Sequence, residues 1–241
     1  MMETAIKEYS TQEAHSFRDG VRDCIPTLIG YISIGIAAGI VGAASSLSVL
    51  EILLLSALVY AGASQFIICA LLASGSPISV IILTTFIVNL RHFLLCLTIA
   101  PQFKAHSILK NIGIGALVTD ESFGVAVNKM LRGEELNDRW MNGLNLTAYV
   151  TWIISCVIGA LAGKWIENPE KFGFDFALTA MFIALLVLQL ESMKRSKLKL
   201  YLTLIVYSII SMFVLCLFVP SHIAILLTTV IVATIGVVMD R

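Results

Sequence analysis

The chain has 241 residues, 58% of them hydrophobic and 13% charged, and its mean hydropathy is +0.92. A soluble domain of this size needs about twice that share of charge to cover its surface, so the composition excludes a soluble globule and specifies a membrane protein. The 16 basic and 16 acidic residues balance without a basic patch, which argues against nucleic acid as a partner.

Residues 1–24 mix Glu3, Glu8, Glu13, Asp19 and Asp23 with Lys7, Arg18 and Arg22 and lack the apolar core of a cleavable signal peptide. They are expected to form a cytoplasmic tail with a short interfacial helix, ahead of a single transmembrane domain over 25–241. A membrane-crossing helix needs about 20 apolar residues. The runs 25–44, 52–73, 140–162 and 200–219 reach that length without a charge. Four more segments are irregular: 77–100 carries Arg91 and His92, 112–127 is short and carries Asp120 and Glu121, 173–190 includes Asp175, and 223–239 is short. The expected fold is an all-α polytopic membrane helix bundle of seven to eight hydrophobic segments, one or two of them broken or re-entrant. Pro26, Pro77, Pro101, Pro169 and Pro220 are expected at segment edges, where a missing amide hydrogen does least harm.

With eight crossings and the N-terminus inside, basic residues divide eleven to four in favour of the cytoplasm. On that count Lys104, Lys110, Lys164 and Lys171 lie outside, and "KRSKLK" (194–199) forms a cytoplasmic loop. "GIAAGIVG" (35–42) and "VIGALAG" (157–163) space small residues four apart, which suits close helix approach; a four-plus-four duplication is the alternative. The cysteines Cys24, Cys69, Cys96, Cys156 and Cys216 are scattered, without CxxC pairs or ligand-spaced histidines, so neither a disulfide framework nor a metal or cofactor is implied.

The chemistry concentrates where polar residues fall inside apolar runs. A charge at the bilayer centre costs about 2.5–3.5 kcal/mol on insertion scales, so Arg91 in "FIVNLRHFLLCL" needs a partner. The deep acids are Asp120 and Glu121 in "LVTDESFGVAV", and either can pair with it. One ion pair would suffice to fix helix register. Two acids, an arginine and His92 exceed that need and point to a site that binds or titrates. Asn89 and His92 share a helical face while Arg91 lies about 100° away, so the segment either presents a wide polar arc or unwinds near Leu90. "YAGASQF" (60–66) places Gly62 and Ser64 before the amide of Gln65. A break there would expose half-helix amides whose positive end favours a carboxylate, which is the sequence pattern of a transporter site. Asn145 and Trp152 are expected to bond between helices, and Glu51, Asp175 and Glu191 to sit at wet segment ends.

Together, "GYISIGIAAG", "SALVYAGASQF", "FIVNLRHFLLCLTIAP", "LVTDESF" and "FALTAMFIALL" resemble the AzlC (YgaZ-type) family, the large subunit of branched-chain amino acid exporters, over nearly the whole chain. The resemblance implies export of hydrophobic amino acids across the inner membrane, and a small AzlD-type membrane subunit as partner. Its motif positions here are Gly62, Gln65, Asn89, Arg91, Asp120, Glu121 and Ser122. The family commonly has an aromatic residue where this chain has His92, which puts a proton role for His92 in doubt.

The expected mechanism is secondary-active export driven by protons. The substrate carboxylate would meet Arg91 or the amides near Gly62–Ser64, its ammonium Asp120 or Glu121, and its side chain an apolar pocket supplied by Phe66, Phe93 or Phe123. Gln65 and Asn89 would orient the polar atoms. A passive channel or a membrane scaffold subunit is the alternative. An intramembrane enzyme is disfavoured, because no HExxH, GxSxG or GxGxxG element is present.

Overall fold

The computed structural model describes residues 16–163 and 195–239, with positions 165, 183, 186, 187 and 190 between them. The expected tail before residue 16 and nearly all of the expected span 173–190 lie outside the described residues. Nine α-helices occur among the described residues: α1 (Phe17–Ala44), α2 (Val49–Leu58), α3 (Gly62–Ala73), α4 (Ile78–Ile99), α5 (Ile108–Gly115), α6 (Asp120–Leu131), α7 (Asp138–Gly163), α8 (Arg195–Cys216) and α9 (Ser221–Met239). Four helices, at Phe17–Ala44, Ile78–Phe103, Asp138–Gly163 and Lys197–Cys216, are long and apolar enough to cross a bilayer. The chain divides into two compact units, Met1–Ala177 and Leu178–Arg241.

In the first unit α1 and α7 form the frame. A capping box starts α1, in which Ser16 Oγ accepts from the Asp19 amide at 3.3 Å and Asp19 Oδ2 accepts from the Ser16 amide at 2.9 Å. The helix therefore begins eight residues before the apolar run, and Pro26 sits inside it rather than at its edge. At 28 residues it is about 42 Å long, more than a hydrocarbon core of about 30 Å, so its first turns extend beyond that core. Side-chain-free faces let α1 and α7 touch backbone to backbone. A Cβ on Gly20 would strike the Trp140 carbonyl, one on Gly143 that of Phe17, one on Gly39 that of Cys156, and one on Gly159 that of Ile36. Residue numbers rise together along this seam, so the two helices run parallel. The small-residue stretches 35–42 and 157–163 lie against each other.

The apolar run 52–73, expected to cross the bilayer with a break near Gly62, is instead the hairpin α2–α3. Ser48 and Glu51 cap the start of α2. Ile52, near that start, and Cys69, near the end of α3, both approach Gly42 at the end of α1; a Cβ there would lie 2.9 Å from Ile52 Cγ1 and 3.9 Å from Cys69 Sγ. The turn at 59–61 lies halfway down the frame, where Tyr149 Oη donates to the Ala57 carbonyl at 2.9 Å. Segment 112–127 is likewise a hairpin, α5–α6, from the opposite end. Lys110 on α5 pairs with Asp138 at the start of α7, and Lys129 on α6 stands 5.1 Å over the Trp140 ring. Its turn at 116–119 reaches Tyr31 in the middle of α1 through a hydrogen bond between Tyr31 Oη and Thr119 Oγ1.

Between the hairpins α4 runs opposite to α1, passing Ser64 at Asn89, Asp120 at Arg91 and the Gly115 carbonyl at Cys96. It is continuous, so there is no unwinding at Leu90. Its end, a 3-10 turn over Ala100–Phe103, is tied to α5 by Asn111 Nδ2 donating to the Phe103 carbonyl at 3.1 Å. Lys104 and Lys110 thus belong to the same end of the frame as Lys129, Arg132 and Arg139, not the opposite end expected from eight crossings. The second unit contains α8 and α9, an antiparallel pair in which Thr228 meets Met212 and Gly236 meets Leu204. Residues 195–199 of "KRSKLK" are the first turns of α8 rather than a loop.

The frame yields a direct test. Gly39→Val drives a side chain into the Cys156 carbonyl and should cost about 1–3 kcal/mol or more in stability, read as a lower melting temperature and loss of monodisperse protein in detergent. Gly30→Val, with open space around it, should match the parent.

Candidate functional site

The two hairpin turns meet the middle of α4, and nearly all the predicted polar residues gather there. Arg91 Nη2 lies 2.9 Å from Asp120 Oδ2, and their side chains are 27% and 23% exposed, so the pair is neither sealed in the core nor free in solvent. Of the two candidate acids, Asp120 is therefore the partner. Two residues earlier, Asn89 Oδ1 accepts a hydrogen bond from Ser64 Oγ at 2.7 Å. Less than one turn of α4 thus contacts both hairpins, one through a neutral bond and the other through an ion pair.

The half-helix starts differ in chemistry. At α6, Thr119 is the N-cap: its Oγ1 accepts from the Ser122 amide at 3.3 Å while Ser122 Oγ accepts from the Thr119 amide at 2.9 Å. Ser122 is consequently a buried capping residue. Asp120 and Glu121 occupy the first turn, where the helix dipole favours negative charge. Glu121 is half-buried, makes no ion pair or hydrogen bond among the described residues, and stands within electrostatic reach of Tyr31, Tyr60 and His92. His92 is half-buried beside Arg91. At α3, the N-cap is Ala61, which has no side chain able to cap, and the first amides over Gly62, Ala63 and Ser64 meet no side-chain acceptor among the described residues.

A stripe on α7 holds the broken ends. Asn145 Nδ2 donates to the Ile114 carbonyl in the last turn of α5 at 3.1 Å, Tyr149 serves the last turn of α2, and Trp152 Nε1 donates to Gln65 Oε1 at 2.8 Å. Trp152 also backs the first residue of α3, since a Cβ on Gly62 would lie 3.0 Å from its ring. Gln65 is thus occupied inside the core, and Asn145 and Trp152 bond between helices as expected. Tyr60, in the turn of the first hairpin, has φ of 42°, a left-handed conformation that costs energy for a bulky side chain. Its ring packs edge-on to Tyr149 at 4.8 Å, which holds the turn in place.

Phe66 is buried and Phe123 half-buried, whereas Phe93 is 61% exposed among the described residues. Sequence reasoning missed Tyr31, Tyr149 and Thr119. Tyr149 could have been found, because it completes an i, i+4, i+7 stripe with Asn145 and Trp152. Nothing near Tyr31 in the sequence announces its bond across the bundle.

Residues 26–166 match the family model described as "AzlC protein". The chain is 30% identical over 181 residues to "Inner membrane protein YgaZ" of Escherichia coli (strain K12), covering 71% of this chain and 72% of that one. An "Uncharacterized membrane protein" of Archaeoglobus fulgidus is 32% identical over 76% of this chain and 80% of its own. "Branched-chain amino acid transport protein AzlC" of Bacillus subtilis (strain 168) is 26% identical over 72% and 68%, respectively. No solved structure matches at a significant level. With more than half its length inside the family match and a helical bundle built for a bilayer, this chain is a multi-pass membrane protein of the AzlC family.

Proposed function

We propose that this protein is a secondary-active exporter of branched-chain and related hydrophobic amino acids across the inner membrane, coupled to protons and working with a small AzlD-type membrane subunit. The observation that carries the reading is the meeting of two unlike half-helix starts on either side of α4. One has open amides, the other two carboxylates. A zwitterion needs both.

The substrate carboxylate fits the amides of Gly62, Ala63 and Ser64, at the positive end of the α3 dipole. The ammonium fits the acids at the start of α6. Glu121, without an ion pair, is the first to receive it, while Asp120 exchanges between the ammonium and Arg91. Asn89 and Ser64 position the carboxylate end, and Gln65 braces the turn from behind through Trp152. Binding of the ammonium and binding of a proton compete for the same carboxylate, which gives a physical route to coupling. The aliphatic side chain is served by Phe66 and Phe123. The B. subtilis relative's name supplies the branched-chain class.

In this reading the two hairpins are re-entrant, entering from opposite faces of the bilayer and returning to them. The face bearing Arg18, Arg22, Lys104, Lys110, Lys129, Arg132 and Arg139 is then cytoplasmic, because the loops at 45–48 and 74–77 contain neither Lys nor Arg. The N-terminus lies on the same face. Single cysteines at Ser46 and Ser76 should both react with a membrane-impermeant maleimide from outside, and those at His106 and Glu134 only from inside. Labelling of 46 and 76 from opposite faces would restore a continuous crossing and remove the hairpin.

For transport, the decisive assay is counterflow in liposomes with labelled leucine, valine, methionine and a non-aliphatic control, across a pH gradient, with and without the small subunit. Asp120→Asn and Glu121→Gln should each abolish uphill movement when compared at equal amounts of folded protein. Wild-type transport in both variants, or flux that ignores an uncoupler, would overturn the coupled exporter.

A further inference from the structure

The first unit contains the same device twice. A long helix is followed by a hairpin at α1–α2–α3 and again at α4–α5–α6. The second arms, Gly62–Ala73 and Asp120–Leu131, are both 12 residues long, and their starts and their ends are each 58 positions apart. Two residues beyond each arm stands a glycine with positive φ, Gly75 at 67° and Gly133 at 79°, again 58 apart. The long-helix residues that reach a hairpin turn follow the same offset, Tyr31 corresponding to Asn89; their partners do not, since Thr119 corresponds to Ala61 and Ser64 to Ser122.

The contacts are exchanged between the halves. Tyr31 of the first long helix bonds to Thr119 at the turn of the second hairpin, where Thr119 is tied to Ser122. Asn89 of the second long helix bonds to Ser64 at the turn of the first hairpin. Since α1 and α4 are antiparallel and the hairpins come from opposite ends, the two halves have inverted topology. Inverted repeats of this kind place a binding site at their interface and open it alternately to the two faces.

We infer that Tyr31 and Asn89 are positioning residues forming two latches, each closing the central site toward one face. Releasing Ser64 from Asn89 frees the first hairpin and opens the site toward the face where α1 ends. Releasing Thr119 from Tyr31 frees the second and opens it toward the face where α1 starts. The Arg91–Asp120 pair stands outside this symmetry, because the corresponding positions are Ser33 and Gly62. The latches are alike in their place on the long helices while the charge is on one hairpin only, so paired gating serves an asymmetric substrate. The inference deepens the transport reading and rests on it for the purpose of the opening.

The test uses a reporter cysteine at Ala63, a fully buried position on the first turn of α3. It is placed in the full chain with the five native cysteines replaced. If that background fails to fold, the native one serves, with labelling of the chain lacking the reporter subtracted. A membrane-impermeant thiol reagent is applied to cells and to inverted vesicles. Loss of one hydrogen bond shifts an opening equilibrium by about fivefold, so Asn89→Ala and Ser64→Ala should each raise labelling by that order from the face where α1 ends and from that face alone. Tyr31→Phe and Thr119→Ala should do so only from the face where α1 starts. Equal increases from both faces, an increase on the wrong face, or none would overturn the latches; a merely structural role would loosen both faces together. Labelling needs no substrate, so leucine counterflow by the parent chain decides the export reading separately.

Discussion

A helix that stops in the middle of a bilayer leaves its last carbonyls and the first amides of its successor without water to meet them. Everything in the first unit follows from how this chain satisfies that constraint. The ends of α2 and α5 are met by Tyr149 and Asn145, four residues apart on α7, and the start of α3 is backed by Trp152 three residues further on. The start of α6 is closed by its own capping box and by Tyr31. These bonds can reach their targets only because α7 lies against α1 with glycine backbones in contact, which makes the pair a fixed strut. Of the two half-helix starts that meet α4, the one at Ala61–Ser64 has no side-chain cap among the described residues.

Charge placement answers to the same logic. Arg91 on a continuous helix would be costly alone, and Asp120 meets it from the opposing hairpin. An amino acid arriving between the turns offers the same two charges with the opposite attachment, so it can replace interactions that the empty site makes with itself. In the proposed transport cycle this would keep the site's net charge low in either condition and leave recognition of the side chain to Phe66 and Phe123. On that proposal, selectivity for aliphatic substrates would come from shape rather than from further polar contacts.

Much of this was legible in the residues. Acids deep in apolar sequence are scarce, so Arg91 had few possible partners, and "YAGASQF" carried both the glycine and the missing cap that break the second segment. The direction of the chain was not legible. Hydropathy measures how long an apolar run is, and residues 52–73 are as long as a single crossing whether they cross or fold back. The fold-back is decided by Cys69 returning to Gly42, a contact between distant residues without a local signature. For the same reason Lys104 and Lys110 were expected at the end of the bundle opposite Lys129, Arg132 and Arg139, whose end they share. Pro26 misled differently, because the helix is started by Ser16 and Asp19 in a polar stretch that apolar counting treats as tail. The 58-residue repeat lay hidden because its halves share positions of turns and contacts rather than residue types: Tyr31 and Asn89 do the same task with different chemistry.

The central claim is that the two hairpins meet across Arg91 and Asp120 in the middle of the membrane, and a charge exchange tests it most directly. Arg91→Asp and Asp120→Arg should each, alone, leave like charges facing one another and sharply reduce the yield of folded protein. The combined exchange should recover most of that yield, since the pair is re-formed in reverse. A double variant no better than the two losses added together would contradict the claim, for it would mean that the guanidinium and the carboxylate do not meet.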